Sequence, residues 1–162
     1  MCENRQEQKW GKNMKIAMAN DHAAVAMKKE IAKMLESEGY TILNYGTDTD
    51  ESVDYPDYAK KAADAVVSGE ADKGIVICGT GIGISIAANK VPGIRCGLCK
   101  DVTDARLTRE HNDANMLAMG ARTTGMETAK DIVHEFLATD FSNGVNHVRR
   151  IHKLAELDGS AK

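Results

Sequence analysis

Aromatic side chains are scarce: two Phe, four Tyr and one Trp make up 4% of the 162 residues. Base or sugar stacking on an aromatic platform therefore has little to work with. Basic charge is not in surplus either, because 21 Lys and Arg face 24 Asp and Glu for a net charge of −3. Gripping a phosphate backbone needs clustered positive charge, so a nucleic-acid partner is excluded. No apolar run approaches the roughly 18 residues of a membrane-spanning helix. The opening stretch Met1–Asn13 is polar and lacks the apolar segment of a secretory signal. A soluble, cytoplasmic protein with no membrane partner is expected. Four cysteines, at 2, 78, 96 and 99, are too few and too clustered for a disulfide framework. Cys96 and Cys99 are three apart on an expected strand, so they point to opposite faces, and no second cysteine pair completes a zinc site. They read as two buried, inert thiols.

What the chain does have is apolar content, 43%, in an alternating pattern. Residues 1–13 read as a flexible tail, 14–157 as one domain and 158–162 as a C-terminal tail. Strands are expected over Lys15–Ala19, Tyr40–Tyr45, Gly74–Cys78, Ile94–Cys99 and Met116–Met119. Between them lie helical stripes. The first has Ala24, Met27, Ile31, Met34 and Leu35 inward and Lys28, Lys29, Lys33 and Glu36 outward. The second has Ala59, Ala62, Ala63, Val66 and Val67 inward, after Pro56 in its first turn. Further helices are expected over Val102–Glu110 and from Met126 to Leu137. A loop over Asp140–Asn146 then leads to a final helix striped by Val148, Ile151, Leu154 and Leu157. Strands alternating with helices predict an α/β fold: a three-layer, doubly wound, Rossmann-like sheet of five parallel strands with a C-terminal helix.

Ligands of such sheets bind beyond the carboxyl ends of the strands. Asp21-His22, Cys78-Gly79-Thr80 and Lys100-Asp101 fall there. Cys78-Gly79-Thr80-Gly81-Ile82-Gly83 runs from a strand through a glycine turn into a helix, offering backbone N–H groups to an anion. It is not the dinucleotide fingerprint, because Ile84 stands where the third glycine belongs, and the Walker pattern is absent. A nucleotide-binding module on this fold is the alternative class, with Asp101 as its ribose-binding acid. Cys78, at a strand end before a helix, reads either as a nucleophile or general base or as a small core residue.

Five motifs in order carry a resemblance: Asp21-His22; Asp54-Tyr55-Pro56; Cys78 through Ser85; Asn89-Lys90-Val91-Pro92-Gly93-Ile94-Arg95; and His111-Asn112-Asp113-Ala114-Asn115. From about Met14 to Leu157 the chain resembles type B ribose-5-phosphate isomerase, of the family that includes galactose-6-phosphate isomerase subunits. The resemblance implies a homodimer or homotetramer with active sites at the subunit interface. It also implies an aldose–ketose isomerase of a small sugar phosphate, using neither metal nor cofactor. It makes Cys78 the base that moves a proton between C1 and C2 through an enediolate, with Gly79, Gly81, Ile82 and Gly83 supplying N–H groups and Thr80 a hydroxyl. His111 becomes the acid that opens the sugar ring, and Asn112, Asp21, His22 and Tyr55 contact substrate. Arg122, His147 and either Arg149 or Arg150 are the phosphate or substrate ligands. The chain departs from the family at Ala23-Ala24, where glycines are usual. It departs again at Val145-Asn146, where the family keeps an arginine before its histidine. The first narrows or reshapes that wall of the site, and the second bears on phosphate placement and sugar length: a pentose phosphate is the first expectation, a hexose phosphate the second.

Overall fold

The computed structural model of this protein describes residues 13–162. The tail read over residues 1–13 lies, up to residue 12, outside them. The strands are β1 (Lys15–Asn20), β2 (Thr41–Asn44), β3 (Lys73–Cys78), β4 (Cys96–Leu98) and β5 (Met116–Gly120). The helices are α1 (Val25–Ser37), α2 (Tyr55–Val67), α3 (Ile82–Asn89), α4 (Val102–Asn112), α5 (Met126–Ala138) and α6 (Val145–Asp158). A 3-10 turn, His22–Ala24, precedes α1. The strands pair in parallel in the order β2-β1-β3-β5-β4, so the doubly wound sheet expected from the alternation is present.

Alternation along the central strands feeds two cores. Ile16, Met18, Ile75, Ile77, Leu117 and Met119 face Ile31 and Leu35 of α1 and Ile132, Val133 and Phe136 of α5. Ala17, Ala19, Val76, Met116 and Ala118 face Ala59, Ala62 and Ala63 of α2 and Ile84 and Ala88 of α3. Each fully buried Ile, Leu or Phe contributes about 1.5–3 kcal/mol, so the first, larger-residue core dominates stability. The chain steps from β1 outward to β2 and then back across β1 to β3. That reversal puts the topological switch point, and the crevice it opens, between the carboxyl ends of β1 and β3. β4 is an edge strand, and the Asn89 amide covers it, donating to Cys96 O at 2.9 Å and accepting from Cys96 N at 2.8 Å. A side chain that imitates a neighbouring strand in this way leaves less edge free for another chain to pair with.

Several local expectations need correction. Lys28, assigned to the solvent face of α1, is 2% exposed. It lies three and seven residues before Ile31 and Leu35, so the helical period places it inside their stripe whatever its charge. β4 is shorter than Ile94–Cys99, and α4 runs on to Asn112. α6 begins at Val145, inside the expected loop. Its expected inward stripe is exposed at Val148 (48%), Leu154 (44%) and Leu157 (84%), while His147, Ile151, Ala155 and Asp158 are half-buried. Only one side of α6 meets the rest of this chain. Val67 of α2 is likewise exposed, and Ala65 is buried instead.

Candidate active site

The ends of β1, β3 and β5 are knitted together by backbone bonds. Asp21 N donates to Ile77 O at 3.2 Å, Ala121 N to Cys78 O at 2.8 Å and Arg122 N to Gly79 O at 2.9 Å. Asp21, 7% exposed, caps the turn that follows it, its Oδ1 accepting from Ala23 N at 3.0 Å. His22 Nδ1 accepts from the backbone N–H of Val53 at 3.2 Å. A ring nitrogen that accepts such a bond carries no proton, so the neutral imidazole holds its proton on Nε2 and has an N–H to offer a ligand.

Cys78 ends β3 at 4% exposure, and Gly81 N–H donates to its Sγ at 3.1 Å. Gly81 takes a left-handed conformation (φ 76°) to turn the chain into α3. A Cβ there would lie 2.7 Å from both Leu98 Cδ1 and the Met119 carbonyl carbon, so the turn that aims this N–H at sulfur requires glycine. Thr80 Oγ1 accepts from Ile82 N at 3.2 Å, which leaves its own hydroxyl proton to donate. The Tyr55 ring lies over Gly83, where a Cβ would come within 2.5 Å of Tyr55 Cζ. Arg122, exposed, lies along Gly79, its Nη1 3.4 Å from where a Cβ of that glycine would stand. Asp21, His22, Tyr55, Cys78, Thr80, the glycine turn and Arg122 thus share one edge, where the start of α3 adds the positive end of a helix.

The remaining sequence-predicted residues lie at the other edge. α4 runs back from the carboxyl end of β4, so His111 and Asn112 fall in its last turn, level with the strand starts. Asn112 O there accepts from Arg95 Nε at 2.9 Å. The His111 ring stacks on the His147 ring, centroids 4.4 Å apart and planes at 11°. β5 opposes Gly74 at Met116 and Cys78 at Gly120, which separates the two edges by about 13 Å along the strands. Within one chain His111 therefore does not reach Cys78. On α6, Arg150 projects about 60° around the axis from His147, whereas Arg149 projects about 160° away. Arg149 lines an outer hollow with Asn143, Val145, Val148 and His152.

The other described cysteines differ from Cys78. Burial, with smaller contributions from Asp104 and Asp101, pushes the Cys99 thiol up to about 12. Burial also raises Cys96 well above the ordinary thiol range, although it is half-buried as a residue. Asp101, the candidate ribose acid of a nucleotide module, instead caps α4, accepting from Asp104 N at 2.7 Å. Among the described residues no His, Cys, Asp and Glu cluster of three or more forms a metal-binding group. Val53 carries no signal in the sequence, because what it contributes is a backbone N–H.

The sequence model of the Ribose/Galactose Isomerase family matches residues 16–154. Ribose-5-phosphate isomerase B of Escherichia coli is 44% identical over 144 residues, 89% of this chain and 96% of that protein. Galactose-6-phosphate isomerase subunit LacB of Clostridium acetobutylicum is 42% identical over 89% of this chain and 83% of its own length. The solved structure of Clostridium thermocellum ribose-5-phosphate isomerase B superposes with a TM-score of 0.88 at 52% identity, covering 90% of this chain and 98% of that one. With its cysteine, glycine turn and Asp-His pair gathered at the switch point of the sheet, the chain belongs to the ribose/galactose isomerase family and is a sugar-phosphate isomerase.

Proposed function

We propose that this enzyme interconverts ribose 5-phosphate and ribulose 5-phosphate, with Cys78 as the base. The observation that carries the reading is the Gly81 N–H donated to Cys78 Sγ at the mouth of the switch-point crevice. In the forward direction Sγ takes the C2 proton of the open aldose, and the electron pair moves to make the C1–C2 double bond of an enediolate. The same proton then returns to C1 while the hydroxyl proton on O2 passes to O1, leaving the C2 carbonyl and C1 hydroxyl of the ketose, so nothing is gained or lost overall. Gly81 N–H is taken by Cys78 Sγ and Ile82 N–H by Thr80 Oγ1, so the N–H groups of Gly79 and Gly83 and the Thr80 hydroxyl serve the oxygen on which charge develops. Asp21, His22 and Tyr55 hold the sugar, and His111 opens the ring with Asn112 beside it.

The working unit in this reading is a homodimer or a larger even assembly. His111, Asn112, His147 and Arg150 of one copy complete the edge that carries Cys78 in the other. What supports this is the roughly 13 Å separation of the two groups within one chain. The apolar side chains left exposed on α3 (Ile82, Ile86) and α6 (Val148, Leu154) support it as well. Arg150, and not Arg149, is the phosphate ligand of the α6 group, because it flanks His147. The pentose phosphate ranks above a six-carbon phosphate on similarity to ribose-5-phosphate isomerases, and among the described residues no helix is long and apolar enough to cross a membrane.

Turnover measured on a panel of five- and six-carbon aldose phosphates, with wild type and Cys78→Ala, tests the reading. Ribose 5-phosphate should give the highest kcat/KM, and Cys78→Ala should keep less than about a tenth of wild-type turnover, more than ~1.4 kcal/mol of barrier. A hexose phosphate turned over faster would transfer the mechanism to the second substrate. An active Cys78→Ala variant would remove the base.

A further inference from the structure

Lys28 is a buried ammonium that the chemistry above leaves unused. Its Nζ donates to Asp48 Oδ1, to Thr47 O at 3.0 Å and to Asn44 Oδ1 at 3.3 Å. An ammonium has three donors, and all three go to the segment 44–48 that leaves β2. Thr47 O also accepts from Asn20 Nδ2 at 3.1 Å, and the same amide donates to Asp21 O at 2.8 Å. The segment is thus tied at once to α1 and to the end of β1. Hydrogen bonds from Lys28 and then Asn44 hold the Asp48 carboxyl below its ordinary value. Packing alone does not explain a lysine here, since an apolar side chain in the stripe of Ile31 and Leu35 avoids desolvating a charge.

Nine residues after Asn44 the tied segment delivers Val53, whose N–H meets His22 Nδ1, and two residues later Tyr55. We propose that Lys28 is a positioning residue of the active site. It clamps the connection between β2 and α2 so that Val53 N–H meets His22 Nδ1 and His22 presents its Nε2 proton to the sugar phosphate. The proposal rests on the reading of His22 as a substrate contact, and its test separates the two.

The experiment uses full-length enzyme labelled with nitrogen-15 in histidine, at a pH where the imidazole is neutral. In wild type the His22 Nδ1 resonance is that of an unprotonated nitrogen accepting a hydrogen bond. Val53→Pro deletes the donor with the clamp intact and gives the resonance of the released ring. Lys28→Met, similar in length and uncharged, should move Nδ1 toward that released position. It should also raise KM for the sugar phosphate roughly tenfold with a smaller loss of kcat, the mark of a misplaced contact. A folded Lys28→Met enzyme with the wild-type Nδ1 resonance overturns the proposal, because a lysine that serves only stability lowers the melting temperature without moving that nitrogen. If Lys28→Met does not fold, the double variant Asn44→Ala with Asp48→Ala, which removes both exposed side-chain acceptors of the clamp, carries the same reading, and an unmoved resonance there overturns it too. A moved resonance with unchanged KM upholds the clamp and removes His22 from the substrate site.

Discussion

At the scale of single residues, the three described cysteines share a side chain and differ in what surrounds the sulfur. Cys78 Sγ receives a backbone N–H where a helix begins, while burial drives Cys96 and Cys99 toward the neutral thiol. Alkylation by iodoacetamide at about pH 7.5, followed peptide by peptide, should therefore label Cys78 well before Cys96 and Cys99, and sugar phosphate should protect it. First labelling at Cys96 or Cys99 would contradict the assignment. The paired arginines of α6 allow an equally local test. A lost charge-assisted phosphate contact weakens ground-state binding by about 1.5–3 kcal/mol. Arg150→Ala should thus raise KM at least about tenfold with a smaller change in kcat, and Arg149→Ala should do little. The reverse pattern would put the outer face of α6 against phosphate.

At the scale of elements, two polar contacts hold the ends of α6. At the start His147 stacks on His111. At the end the Asp158 carboxylate accepts from Gly93 N at 2.8 Å and Ser160 N at 2.9 Å. Those bonds, Gly93 first, hold Asp158 below its ordinary value of 3.8. A folded-state value below the unfolded one means that the unfolded chain takes up the proton first as pH falls. The stabilisation is complete above the unfolded value and disappears as pH drops through the folded one. Asp158→Ala should therefore melt below wild type at neutral pH, with the gap closing as pH falls below about 4. A gap that stays constant to pH ~2.5 would mean that the carboxylate charge contributes nothing.

At the scale of the whole molecule, the sheet separates two sets of chemical groups that the proposed reaction needs together. A dimer with a two-fold axis makes two composite sites, each using Cys78 from one copy and His111 from the other. Cys78→Ala and His111→Ala, each nearly inactive alone, should then complement when the two proteins are refolded together. Random pairing leaves one intact site in every mixed dimer, so about a quarter of wild-type activity should return. No recovery in a mixture shown to contain mixed dimers would place both groups in a single chain's site.

The sheet was legible before any coordinates, because an alternating run of short apolar strands and 3.6-period stripes has few other ways to bury both faces of its strands. The gathering of Asp21, Cys78 and the glycine turn at one edge was legible too, since all three sit at strand ends, and strand ends in such folds share one side. Three things waited for the tertiary structure. The period already put Lys28 among Ile31 and Leu35, but a lysine there reads as solvent-facing until its partners at 44, 47 and 48 come from a segment distant in sequence. The hold on His22 was invisible because Val53 gives a backbone N–H, which every residue but proline carries. The opposite placement of His111 and Cys78 depends on where α4 ends, and periodicity fixes a helix terminus only to within a turn. Local pattern sets which residues are apolar and which turn the chain; which polar groups meet across distant segments is decided by the packing.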